Sequence, residues 1–382
     1  AKMQLAITRQ LQSRLGDAIA IYNDIVKTRN DGRDVVNMDE DVLSNMDDVI
    51  RQTILVNLGA AHQESGNFDK AIYLYKRNLQ ELPNDPRAWN NLGSSLWQIG
   101  DAKGSVDAYL KAIAIEPRSG EALVNLGVAY YEYGNVEECK ESYMKAYEIT
   151  KNDGLLMRIA TITLPIMESQ ESIIQDRSRF KKGIMALYRR IAQGTEPVYL
   201  HEPVKDIERV HFYYVYHGEN EIFNQIMMAN LYFNSASHVL PFVSNFLRDN
   251  VPHPTENKLG KTVQHHTLRP HILPERDGKI VVGFISKFFV INHSHGQLLE
   301  GIIRLLDRSI FYVVALVIPN PQNHILPSIE ASADFIVRLP FALKEVRSTI
   351  SDLMLDILVF ADMLSEPLTY FMGLGSRIAP VQ

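Results

Sequence analysis

The chain has 382 residues, 46% of them hydrophobic and 22% charged, with a net charge of −6 at pH 7. That length calls for two or three folded units, and so ordinary a composition excludes a largely disordered chain. The mild acidity gives no general attraction to nucleic acid, the lone Cys139 excludes an internal disulfide framework, and no apolar run of about 18 residues is present to span a membrane.

The first residues, AKMQLAITRQLQSRLGD, mix charged and apolar types from the start and read as lacking a secretory signal, so cytoplasm or nucleus is the expected location. DAIAIYNDI (17–25) reads as the second helix of a degenerate unit within residues 1–30, and the acidic NMDEDVLSNMDD (37–48) as an insertion. From residue 52 a period of 34 sets in. Gly66, Gly100 and Gly134 recur at that interval, as do the Leu-Gly pairs at 58–59, 92–93 and 126–127, and Tyr75, Tyr109 and Tyr143. Pro83 and Pro117 close two units, and Lys151 holds the third closing position.

The spacing predicts pairs of antiparallel helices. The small residues let the two helices approach, and the tyrosine fills the space between units. The turn glycine ends the first helix, and the Asn67, Asp101 or Asn135 after it caps the second. Tyr75, Tyr109, Tyr143 and Trp89 are expected in the packing core. The pattern resembles the tetratricopeptide repeat family, best in the middle unit with Trp89, Leu92, Gly93, Ser105, Tyr109, Ala112 and Pro117. The resemblance implies an all-α solenoid over 1–154, with units 52–85, 86–119 and 120–153, that binds a protein or peptide partner.

Residues 155–250 keep helical spacing and read as a connector. LLMRIATITLPIM (155–167) is followed by a helix that Ser169 can start, and RVHFYYVYHGENEIFNQIMMANLYFNSA (209–236) continues as helix with a break at HGENE. Its aromatics from Phe212 to Phe223 are expected to fill a helical core. Residues 251–278 contain four prolines and read as a linker. His253, His265, His266 and His271 fall in it without carboxylates or cysteines at ligand spacing, so no metal is expected.

After residue 279 the texture changes. IVVGFIS (280–286), FYVVALVI (311–318), FIVRLP (335–340) and LDILVFAD (355–362) are apolar runs that alternate with helical stretches at 295–307, 325–333 and 343–354. Such alternation predicts a doubly wound, parallel, Rossmann-like α/β lobe with ligand chemistry at the carboxyl ends of its strands. Dinucleotide-binding, P-loop and nucleophile-elbow signatures are absent. At the first of those ends, FFVINHSHGQ (288–297) offers His293 and His295. A base at a helix start and the neighbour of a Ser294–Gln297 capping box are both open readings, while the ligands a metal site would add are missing. Asp362, ending the fourth run, is a cleft residue or the cap of the helix after SEP. Lys287 reads as a solvated strand end.

KIVVGFISKFFVINHS (279–294), LDILVFADMLSEPLTYF (355–371) and RIAPVQ (377–382) resemble the catalytic region of the O-linked N-acetylglucosamine transferases, the SPINDLY-like branch in particular. LPIMESQESI (164–173) and HGEN (217–220) are similar to the connector of that branch. The resemblance implies a two-lobed GT-B glycosyltransferase, inverting and independent of metal or other cofactor. It would transfer a sugar from UDP-N-acetylglucosamine, or from GDP-fucose, to Ser or Thr of proteins held by the repeats. Asn292 and His293 match the family's cleft-facing pair, with His293 as base. Because FFVINH carries one extra residue, His295 is the fallback. Asn292 and Asp362 are the expected substrate contacts. In the family, APVQ leads on into a nucleotide-sugar lobe. Residues 279–382 are therefore expected to be the first part of the catalytic region, inactive without the rest. The alternative is a tetratricopeptide scaffold carrying an incomplete, non-catalytic lobe.

Overall fold

The computed structural model describes residues 2–11, 15–27, 48–164, 166–194, 197–211, 214, 217–244, 247, 278–290, 294–319, 325–362 and 366–382. The chain divides into two compact units, Ala1–Lys151 and Asn152–Gln382.

The first unit is a row of helix pairs: α1 (Lys2–Leu11) with α2 (Leu15–Lys27), α3 (Asp48–Glu64) with α4 (Phe68–Glu81), α5 (Pro86–Gln98) with α6 (Ala102–Ile115), and α7 (Gly120–Glu132) with α8 (Val136–Thr150). Gly66, Gly100 and Gly134 turn the chain between partners at φ of 78°, 85° and 79°, a backbone region that a side chain would strain. A Cβ on Gly59, Gly93 or Gly127 would lie 2.6, 2.7 or 2.5 Å from a ring carbon of Tyr75, Tyr109 or Tyr143, all three buried. The glycine and the tyrosine are thus two halves of one contact. Gly93→Ala is expected to lower stability by about 1–2 kcal/mol, the overpacking cost exceeding the helix-propensity gain. A urea midpoint at or above the wild-type value would contradict that contact.

The capping expectation holds at one of the three turns. Asp101 accepts from the Gly104 amide at 2.9 Å, whereas Asn67 and Asn135 form no side-chain cap. The Asn67 side chain instead donates to Ser65 Oγ at 2.9 Å. The degenerate unit is more complete than one helix. Buried Tyr22 lies sixteen residues after Ala6, the interval that separates Tyr75 from Gly59. Its hydroxyl donates to Gln10 at 3.3 Å, as that of Tyr75 does to Gln63 at 3.2 Å. Ala6, Ala18 and Tyr22 pack with Ile54, Leu55 and Leu58 of α3. The inserted acidic stretch lies outside the described residues, apart from Asp48.

The second unit opens with α9 (Asp153–Ala160), α10 (Gln170–Gln193), α11 (Pro203–Ile207), α12 (Ile222–Ser235) and the short strand β1 (Phe242–Val243). Ser169 starts α10 through a reciprocal pair of bonds with Ser172 (3.0 and 3.1 Å), and Gly194 ends it in the left-handed region. The expectation of helix from 209 is not met at the described positions before Ile222. His211, Tyr214 and His217 are three residues apart and all buried, and Tyr214 and His217 adopt 3₁₀ geometry. A spacing of three eclipses side chains along a 3₁₀ turn and also keeps them on one face of an α-helix, so the spacing alone does not separate the two. Phe223, expected in the core, is 57% exposed.

The sheet lobe consists of β2 (Ile280–Ser286), α13 (Ser294–Leu305), β3 (Phe311–Val317), α14 (Pro327–Ser332), β4 (Phe335–Arg338), α15 (Leu343–Leu353), β5 (Ile357–Phe360), α16 (Pro367–Gly375) and β6 (Ser376–Arg377). Four strands form one parallel sheet in the order β4-β3-β2-β5. Val282 and Phe284 face Leu299 and Ile303 of α13 and Ile329 of α14. The alternate face of β2 is narrowed at Gly283, where a Cβ would meet Leu355 at 2.5 Å. The crossover from β4 back to β5 places α15 on that opposite face, because all three crossovers keep the same hand. Val381 adds a parallel bridge to Ile357, beyond β5.

Helical segment and sheet lobe share one core. β1 pairs in parallel with β6, and Tyr232 of α12 meets Tyr370 and Phe371 of α16 at ring separations of 5.8 and 5.2 Å. Buried Arg347 of α15 donates to the carbonyls of Val239, Leu240 and Phe371.

Candidate functional site

Strand order in the sheet grows from β2 to β3 to β4 in one direction, then reverses to place β5 on the other side of β2. The crevice outside the carboxyl ends of β2 and β5 is therefore the switch point, where doubly wound sheets take their ligands. β2 ends there in Ser286, fully buried, and β5 runs out to Asp362, also buried. Asp362 Oδ2 accepts from the Lys287 amide at 2.9 Å and from Ser286 Oγ at 3.3 Å, and Ser286 Oγ accepts from the Phe288 amide at 2.9 Å. Burial raises the Asp362 carboxyl above the ordinary range, and these two bonds and the nearby His295 charge pull against it. The carboxylate so fastens the exit of β2 to the exit of β5.

The helix after β5 is capped by Glu366, not by Asp362. Glu366 Oε2 accepts from the Thr369 amide at 2.9 Å, with Pro367 at the first helical position. Burial raises the Glu366 carboxyl, Lys287 lowers it, and Asp362 raises it further. Lys287 is half-buried beside these two acids, so it is not the solvated strand end that its position suggests.

On the other wall, α13 is described from Ser294, so Ser294 lies within the helix and not before it. His295 is exposed in the first turn, its ring 5.5 Å from that of Phe288. Asn292 and His293 lie outside the described residues. The chain before them is held where Val290 bridges Ile325 and Phe289 accepts from the Leu326 amide at 2.9 Å. Helix and loop touch at Gly296, whose added Cβ would fall 2.3 Å from the Phe288 carbonyl oxygen. Of the expected residues, the structure brings Asp362 and His295 to one crevice. Ser286, Glu366, Thr369 and Gly296 went unread. The legible signal for Glu366 and Thr369 was the cap pattern E-P-x-T. Among the described residues no group of three His, Cys, Asp or Glu could hold a metal ion, and the four linker histidines lie outside them.

A second polar cluster lies in the helical part. Asp176 pairs with Arg179 and stands 3.9 Å from His217, while His211 bonds Gln225 at 3.0 Å. Burial lowers both histidines below their ordinary value. A lowered histidine contributes stability that is present above the unfolded value near 6.5 and is lost as pH falls through the folded value. Below pH 6.5 each is expected to remove up to about 1.4 kcal/mol per pH unit. Burial raises Asp176, so that carboxyl acts in the opposite sense at lower pH. The denaturant midpoint should fall between pH 7 and pH 5.5, and His211→Asn with His217→Asn should flatten the fall. An equally steep fall in the double variant would refute this origin.

Residues 56–119 and 108–141 match the tetratricopeptide repeat family. No curated protein matches the chain. A mutant of the Thermobaculum terrenum O-GlcNAc transferase matches in structure, at 16% identity and a TM-score of 0.51, over 88% of this chain and 52% of its own. Two structures of MamA match at 19% identity over 49% and 51% of this chain and 96% and 93% of theirs, with TM-scores of 0.36 and 0.38. The chain spans about half the length of the transferase. Residues 56–141 are tetratricopeptide repeats, and the chain is similar in fold to an O-GlcNAc transferase.

Proposed function

We propose that this chain is the acceptor-holding repeat array and the first catalytic lobe of a protein O-glycosyltransferase of the GT-B type, in the SPINDLY-like branch. One observation carries the reading: the fold likeness to the transferase runs over 88% of the chain, repeats and lobe together. In this reading the repeats bind the acceptor protein. A Ser or Thr hydroxyl attacks the anomeric carbon of the donor, its proton passes to an imidazole, and the nucleoside diphosphate leaves with the bonding electron pair. His293 is the base and His295 its fallback. His295 lies in the first turn of α13, and His293 precedes it by two residues in the sequence. Asn292 contacts substrate, and Asp362 forms the floor of the crevice.

The donor is UDP-N-acetylglucosamine, with GDP-fucose second, and no metal or other cofactor takes part. A scaffold with a non-catalytic lobe is the second reading, and the family match confined to the repeats favours it. Titration of UDP and of GDP into the full-length gene product separates the two. The transferase reading expects one nucleotide to bind and the other to bind far more weakly; binding of neither removes it in favour of the scaffold.

A further inference from the structure

The middle repeat departs from its neighbours at two positions that meet in space. Trp89 of α5 stands where α3 and α7 carry Leu55 and Leu123, and Gly104 of α6 stands where α4 and α8 carry Lys70 and Glu138. Both line one cavity of about 500 Å³, walled by α4 and α6 and floored by Leu79, Leu92, Leu96 and Ala108. First helices of neighbouring units pack against each other, so this opening between second helices is on the outer face of the array. It is an open hollow with an apolar floor.

The two departures build it. The Trp89 ring is fixed by its Nε1 donating to the Pro83 carbonyl at 2.7 Å. Gly104 keeps the wall low, since a Cβ there would meet the Asp101 carboxylate at 2.5 Å. A glycine inside a helix weakens it, and none of the other second helices carries one at this place. The charges are arranged to match. Asp101 is engaged in capping α6. Lys111 lies one turn beyond Asp107, the spacing of a helical ion pair, yet among the described residues no ion pair joins them. Its ammonium instead sits 4.2 Å from the centre of the Trp89 ring. Lys76, Lys111, Asp101 and Asp107 line the cavity, and of these Lys111 is the group that stands over the Trp89 ring, with Asp101 occupied as a cap.

We propose that this cavity docks a segment of a partner protein in which an apolar side chain stands next to a carboxylate. The apolar group fills the space over Leu92 and Leu96, and the carboxylate meets Lys111. This site is separate from the acceptor-holding role and stands whether or not the lobe is catalytic.

The test uses the 382-residue chain carrying Trp97→Phe, so that Trp89 reports alone. The probes are short peptides with Leu, Phe or Tyr flanked by Asp or Glu, beside copies with Asn or Gln in place of the acids. Acidic peptides are expected to bind and change Trp89 fluorescence. Lys111→Glu and Gln80→Glu, both at exposed positions that leave folding intact, should each weaken that binding about tenfold. Lys103→Glu, exposed but outside the cavity, should leave it unchanged. Gly104→Gln, which fills the cavity, should weaken every peptide. Binding by no acidic peptide, equal binding of the amide copies, or indifference to both charge changes overturns the proposal.

Discussion

Replacing His293 with alanine is expected to reduce sugar transfer by the full-length gene product about 10²- to 10⁴-fold, the range of a lost general base. Donor affinity should hold, because in the proposed reaction the base acts on the acceptor hydroxyl and not on the nucleotide. The loss should therefore fall on kcat and kcat/KM together, with KM for the donor unchanged. His295→Ala is the internal comparison. If the extra residue in FFVINH displaces the pair, the large loss moves to His295, whose ring lies 5.5 Å from that of Phe288 and which acts on the Asp362 carboxyl. Steady-state rates of both variants decide between them. Unchanged kcat in both would remove the histidines from the chemistry altogether.

The second large effect concerns stability. Arg347→Ala is expected to destabilise residues 152–382 by about 2–4 kcal/mol, the cost of leaving buried carbonyls without their donor. Arg347 is 3% exposed, and burial lowers its guanidinium to about 10, so it remains charged at neutral pH. It bridges carbonyls of the helical segment (Val239, Leu240) and of α16 (Phe371), with its guanidinium 5.6 Å from the Phe242 ring. Without it, buried carbonyls beside the β1–β6 pairing lose their donor. Guanidinium-chloride unfolding should show a lower midpoint at an unchanged m-value. A shift smaller than about 1 kcal/mol would mean that Arg347 does not hold the two parts together.

Periodicity made the regular elements legible. The 34-residue interval yielded the repeat helices, because glycine and tyrosine must meet across each pair. The apolar run at 280–286 coincides with β2, since a strand buried on both faces is apolar almost throughout, with Ser286 at its end. The first helix of the degenerate unit was hidden because alanine at position 6 replaces the diagnostic glycine. Three-residue spacing at His211, Tyr214 and His217 looked like more helix, and the junction of helical segment and lobe was invisible. Arg347 reads as a surface arginine on an amphipathic helix until the carbonyls at 239 and 240 are placed beside it. Of the crevice, Asp362 and His295 are legible in the sequence as residues that follow β5 and β2. Its wiring through Ser286, Lys287 and Glu366 required the β2–β5 adjacency, which topology alone supplies.

The reading of this chain as part of a protein glycosyltransferase is met most directly by one measurement: the mass of an acceptor protein after incubation with the full-length gene product and UDP-N-acetylglucosamine, with GDP-fucose in parallel. The account predicts a gain of whole sugar units on Ser or Thr from one donor, undiminished by a metal chelator and suppressed by His293→Ala. No gain from either donor, or a gain that the chelator abolishes, would contradict it.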